Sequence, residues 1–243
     1  MRTTKIEWTE RTWNPVTGCN KISEGCRHCY AEMMTRRLHA MGNSKYMNNF
    51  MPTEHPEDLF EPYKWRKPSV VFVCSMSDLF NEKISFEFIE KVLDVIRDTP
   101  HHTYQILTKR AKRMAEFFKK RSIPPNVWLG VTIENKASIK RMDSIRHLDA
   151  NVKFLSCEPL LEDLGKMELS GIDWIIVGGE SGVSARPMSE EWVLNIMSQA
   201  QQNKIPFFFK QWGTWGSDGI KRSKHVNGKL IKGKVVQEMP RNA

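Results

Sequence analysis

Six short apolar runs rich in β-branched and aromatic residues recur along the chain: 70–75 (VVFVCS), 104–108 (YQILT), 127–132 (VWLGVT), 152–157 (VKFLSC), 173–177 (DWIIV) and 205–210 (IPFFFK). Their apolar character is continuous rather than alternating, which is the pattern of strands covered on both faces. Between them, 86–98, 111–121, 135–148 and 190–202 carry apolar residues at three- and four-residue spacing with charges between, the period of helices laid against a sheet. A strand at 12–16 and a helix at 30–41 extend the series at its start. Such alternation predicts an α/β fold with a parallel sheet, open or curled into a barrel. In either form ligands gather at the carboxyl ends of the strands. Those positions are polar here: Ser75-Met76-Ser77-Asp78, Lys109-Arg110, Glu134-Asn135, Glu158-Pro159, Gly178-Gly179-Glu180-Ser181 and Lys210-Gln211.

Two stretches break the pattern. Residues 42–68 hold Pro, Asn, His and acidic side chains without a clear period and read as a long excursion. Residues 213–243 hold many Gly and Lys, with Asn227-Gly228 between KHV and KLI as a two-residue hairpin signal. The expected organisation is therefore a main body over 1–212 and a short C-terminal β-ribbon extension over 213–243, which suits the 243-residue length. No apolar run approaches the roughly 18 residues that span a bilayer. The N-terminus places charges and Trp where a signal peptide needs its apolar stretch, so a cytoplasmic protein without a membrane partner is expected.

Thirty-seven Lys and Arg against 28 Asp and Glu give a net charge of +9, which favours a polyanionic partner. Of five cysteines, Cys19, Cys26 and Cys29 fall on one loop as CxxxxxxCxxC, immediately before the first predicted helix. Three thiolates on one loop can hold three irons of a 4Fe-4S cluster and leave the fourth iron open, since closed electron-transfer clusters use four Cys. The alternative is a structural zinc closed by His28 or a distant Cys. Cys74 and Cys157 lie in predicted strands and read as small core residues.

A three-Cys loop after the first strand of a βα series resembles the radical S-adenosylmethionine (SAM) superfamily, whose fold is a partial (βα)6-type TIM barrel. A phage-associated branch of that superfamily is the closer resemblance, with spore photoproduct lyase a more distant one. The blocks that carry it are WNPVTGC, GCRHCYAE, VFVCSMSDLF, QILTKR, WLGVTIEN, FLSCEPLL, WIIVGGESG with ARP, and FKQWG. The superfamily's usual spacing is CxxxCxxC, with an aromatic residue where this chain has His28.

The resemblance implies that Cys19, Cys26 and Cys29 ligate a 4Fe-4S cluster on the loop 18–30 and that SAM chelates the open iron. An electron from a flavodoxin- or ferredoxin-type donor then cleaves SAM to a 5'-deoxyadenosyl radical, which takes a hydrogen atom from substrate. Gly18 and Gly25 would let the loop wrap the cluster. Ser75, Ser77 and Asp78 are candidates for the SAM amino group, and Glu134 and Asn135 for ribose hydroxyls; Ser77, Asp78, Glu134 and Asn135 are also placed to cap a helix. Gly178, Gly179, Glu180 and Glu158 are further SAM candidates, with Glu158 and Glu180 alternatively paired to Lys210 or Arg186.

Lys109, Arg110, Arg186, Lys210 and Gln211 remain to face a substrate. The tail adds Lys221, Arg222, Lys224, Lys229, Lys232 and Lys234 beside Trp212 and Trp215, charge for phosphates and ring faces for bases, so DNA or RNA is the expected substrate. The expected function is modification or repair of a nucleic-acid base. A zinc-stabilised nucleic-acid-binding module, or a radical SAM enzyme for a peptide or small metabolite, are the alternatives.

Overall fold

The computed structural model describes residues 4–240. The chain begins with β1 (Arg11–Trp13), β2 (Val16–Thr17), α1 (Tyr30–Ala40), β3 (Thr53–Glu54) and β4 (Val70–Val73). It continues through α2 (Phe86–Asp98), β5 (Thr103–Thr108), α3 (Ala111–Phe118), β6 (Val127–Thr132), β7 (Val152–Cys157) and β8 (Trp174–Gly178). Last come α4 (Glu190–Gln202), β9 (Phe207–Gln211), α5 (Lys224–Asn227), β10 (Leu230–Ile231) and β11 (Lys234–Val235). Seven strands form one parallel sheet in the order β1-β4-β5-β6-β7-β8-β9. The order follows the chain with no reversal, as in a (βα) barrel and unlike a doubly wound sheet. The fold is thus the expected α/β class, a partial TIM-barrel topology with a small antiparallel ribbon, β10–β11.

The chain divides into two compact units, one running to Gly130 with Leu148–Asn151 added, the other made of Val131–His147 and the residues from Val152 onward. In the first unit, α2 starts where Ser85 accepts from the Phe88 amide and has Glu87 in its first turn. It buries Phe88, Ile89, Val92, Leu93, Val95 and Ile96, one apolar stripe contributing roughly 1.5–3 kcal/mol per side chain. Pro100 then ends the helix, with Thr99 Oγ1 donating back to the Val95 carbonyl. In the second unit, Trp174 lies among Phe154 and Phe208 with ring centroids 5.6 and 6.0 Å away, and α4 is capped by Ser189.

Three expectations are corrected. The strand at 12–16 is interrupted, because Pro15 has no amide hydrogen to donate. β1 ends at Trp13, and β2 turns out to pair antiparallel with β3, drawing the 42–68 excursion back onto the chain. The helix at 135–148 is a 3-10 helix, Lys136–Ser144; its start is set by a reciprocal Asn135/Ser138 capping box. Asn227-Gly228 is not the hairpin turn. Asn227 ends α5, and its side chain donates to the carbonyls of Gly213 and Thr214. The turn is Lys232-Gly233, both at positive φ (46° and 78°) as a two-residue loop of mirror-image type requires. No helix among the described residues is long and apolar enough to cross a membrane.

Candidate metal centre

The cysteine loop belongs to the first unit. Its entry is Gly18, at φ +74°, whose amide donates to the Met76 carbonyl at 3.1 Å. A Cβ at Gly18 would lie 2.2 Å from the Met51 carbonyl oxygen, backbone that has no side-chain freedom to yield. The next amide, Cys19, donates to the Phe50 carbonyl at 3.0 Å, so the excursion serves as a backing for the loop. Gly18→Ala is therefore expected to cost at least about 2 kcal/mol, from left-handed strain plus overlap. Chemical denaturation of the variant against wild type measures this cost. Gly25 lies within a single 3-10 turn, Glu24–Cys26, and Cys29 sits at the N-cap of α1, packed against Ala31, Tyr46 and Met76.

All three thiols are half-buried and receive donors. Arg110 Nη1 lies 3.5 Å and Asn81 Nδ2 3.6 Å from Cys19 Sγ. Burial, reinforced by the Asp78 charge, pushes the Cys19 thiol up to about 11. At Cys26 burial is outweighed by backbone hydrogen bonds at Ile22 and Ser23 and by the Lys109 charge, and the thiol is lowered. Cys29 is raised by burial, against hydrogen bonds from the backbone of Glu32 and Ala31 and the charge of Lys109. The N–H donors favour the thiolate at each sulfur, but they outweigh burial only at Cys26.

The three sulfurs do not lie mutually within 4.8 Å; among the described residues the group that does is His55, Glu57 and Asp58. That group is already engaged: both ring nitrogens of His55 meet Thr17 and Glu57, and Asp58 takes Lys45. A tetrahedral zinc, with Zn–S near 2.3 Å, holds its sulfurs about 3.8 Å apart. The three sulfurs are not gathered that closely.

Behind Cys19 lies a buried network centred on Asp78. Its carboxylate accepts from Thr108 Oγ1 (2.7 Å), the Lys109 amide (3.1 Å), the Phe80 amide (3.0 Å) and Arg110 Nη1 (3.0 Å). Arg110 also donates to Glu82 through Nε and to Asn20 through Nη2. The sequence alone marks Arg110 as one of several strand-end cations; its approach to Cys19 spans 91 residues and leaves no local signal. Ser75 Oγ donates to Asn14 Oδ1 and Ser77 Oγ to the Val16 carbonyl, so this segment also ties the second strand end to the loop entry.

The second unit gathers the remaining candidates in pairs. Glu134, with no exposed side-chain surface, meets Arg141 at 2.5 Å, and Asn135 is the cap described above. Glu158 takes Lys210 at 2.5 Å; Glu180 takes Arg186 through its amide, Nε and Nη2 at 2.8–3.0 Å. Gln211 donates to Ser181 Oγ. Gly179 is needed because a Cβ would lie 1.9 Å from the Trp212 carbonyl oxygen. Trp212 is itself 2% exposed and donates to the Leu230 carbonyl, so it offers no ring face to a base. Trp215 is half-buried, with the exposed Lys221 ammonium 5.8 Å from its ring centre.

A family model described as a protein of unknown function, DUF5131, matches residues 3–240. The chain belongs to that family. No curated protein matches it. A solved structure of a cysteine-to-alanine variant of spore photoproduct lyase with a dinucleoside spore photoproduct is similar at 12% identity and a TM-score of 0.42. The match covers 83% of this chain, which spans 65% of the length of that one.

Proposed function

We propose that this chain is a radical SAM enzyme that modifies or repairs a nucleic-acid base. The observation that carries the reading is the donor set of the cysteine loop: three half-buried thiols, each facing hydrogen-bond donors and spread wider than a zinc ion would hold them. Cys19, Cys26 and Cys29 would hold the cluster, and a bound cluster with SAM supplies one-electron cleavage of a sulfonium and hydrogen-atom abstraction. Gly18 and the Phe50 carbonyl fix the loop, while Lys109 brings positive charge toward Cys26 and Cys29. A flavodoxin- or ferredoxin-type protein is the proposed electron source. Glu158, Lys210, Glu180, Arg186 and Gln211 are proposed for the substrate side.

The nucleic-acid half rests on charge. Lys221, Lys224, Lys232 and Lys234 are exposed, and together with the +9 net charge they suit a phosphate backbone. Protein reconstituted anaerobically with iron and sulfide should release 5'-deoxyadenosine when given dithionite and SAM; protein that binds a cluster yet leaves SAM intact refutes the enzyme reading. Binding of a single-stranded oligonucleotide should weaken steeply with salt. Replacing Lys232 and Lys234 together should reduce the log–log slope by about 0.7 for each phosphate no longer neutralised. A salt-independent affinity would point to a peptide or small metabolite instead.

A further inference from the structure

We infer that the buried Asp78–Arg110 pair, assisted by Asn81, sets the electron affinity of the centre held by Cys19. The inference rests on the cluster reading above. Arg110 and Asp78 have side chains only 3% and 8% exposed. Buried ion pairs are weak stabilisers, since desolvation cancels much of their attraction, so this one calls for a role beyond stability. Its geometry supplies one: Arg110 is held by Asp78, Glu82 and Asn20, and the same Nη1 that meets Asp78 lies 3.5 Å from Cys19 Sγ.

Asn81 approaches the same sulfur from a second direction and is itself fixed by Asn20 Oδ1 at 2.6 Å. Reduction adds one electron to the cluster. A cationic donor at a ligating sulfur stabilises that added negative charge, and hydrogen bonds to sulfur together with net local charge are what tune iron-sulfur potentials. Asp78 acts in the opposite sense, as a fixed anion held on the same Nη1. The two residues form a balance: Arg110 favours the reduced centre, Asp78 the oxidised one, and neither needs to touch SAM or substrate. Both are positioning residues.

The test is a potentiometric titration followed by electron paramagnetic resonance on the whole chain, comparing wild type with Arg110→Met and Asp78→Asn. Asn keeps an acceptor for Thr108 and removes the charge. Arg110→Met should lower the midpoint and Asp78→Asn should raise it. Each should change the reduced-to-oxidised ratio at fixed potential by roughly tenfold, about 59 mV for a one-electron couple. Opposite signs separate tuning from simple loosening of the loop, which would move both variants the same way or merely empty the site.

Equal cluster content with unchanged midpoints, or shifts of the same sign, overturns the inference and leaves the enzyme reading standing. Wild-type protein that takes up no cluster overturns the enzyme reading itself. Where Arg110→Met loads no cluster, the midpoint of Asp78→Asn decides: an upward shift supports the balance, and none refutes it.

Discussion

Cys26→Ala is expected to abolish cluster-dependent chemistry: iron and labile sulfide fall to background in anaerobically reconstituted protein, and 5'-deoxyadenosine release falls with them. Cys26 is the trio's one thiol lowered against its own burial, held by backbone hydrogen bonds at Ile22 and Ser23 and by Lys109. On the proposed reading this sulfur is a ligand, and deleting it removes the ligand outright. The loss should exceed the roughly 10–100-fold that removal of an outer hydrogen-bond partner costs a metal site. Cys157→Ala is the matched control. That thiol is fully buried in β7, where burial pushes it up to about 12, and its removal should cost stability while iron uptake persists. Equal iron content in Cys26→Ala and wild type would show that the loop does not hold the metal.

The second large effect is on stability. Asp78→Ala should destabilise the protein by about 3–5 kcal/mol, because the buried Arg110 keeps only Glu82 as an anionic partner and the Thr108, Lys109 and Phe80 donors lose their acceptor. Four donors converge on this carboxylate, including the Arg110 guanidinium and the amides that shape the turns at Phe80 and Lys109. Glu90, 35% exposed, is a useful contrast: it meets Arg121 and Arg97, themselves 35% and 36% exposed. Water screens such pairs, so Glu90→Ala should cost no more than about 1 kcal/mol. Denaturant titrations of the two variants should separate clearly, and an Asp78→Ala cost as small as that of Glu90→Ala would refute the network's importance.

The regular elements are legible where one physical signal governs them. α2 and α4 begin at serine caps and carry an apolar stripe of helical period, and their bounds match the sequence pattern. β6 and β7 are short continuous apolar runs and match as well. What escapes is governed by single residues or distant partners. Pro15 splits the strand expected at 12–16. Lys232-Gly233, rather than Asn227-Gly228, makes the turn, because the Asn227 side chain is already committed to the Gly213 and Thr214 carbonyls. Trp212 reads as a surface ring beside basic residues, yet its indole is buried under the hairpin strand.

At the candidate centre the division is similar. The cysteine spacing and the place of Gly18 can be read from the chain; the structure adds that this glycine has a positive φ beside the Met51 carbonyl. The pairings of Glu158 with Lys210 and Glu180 with Arg186 are among the alternatives the strand-end charges offer. The roles of Asn81, Asn20 and Arg110 around Cys19 depend on three loops meeting, which no local pattern encodes.

Analysis of metal and labile sulfide in anaerobically reconstituted wild-type protein bears most directly on these conclusions. About four irons and four sulfides per chain, with zinc near zero, is the expected composition. One tightly held zinc and no labile sulfide would contradict it, because those sulfurs would then be closed around a redox-inert ion.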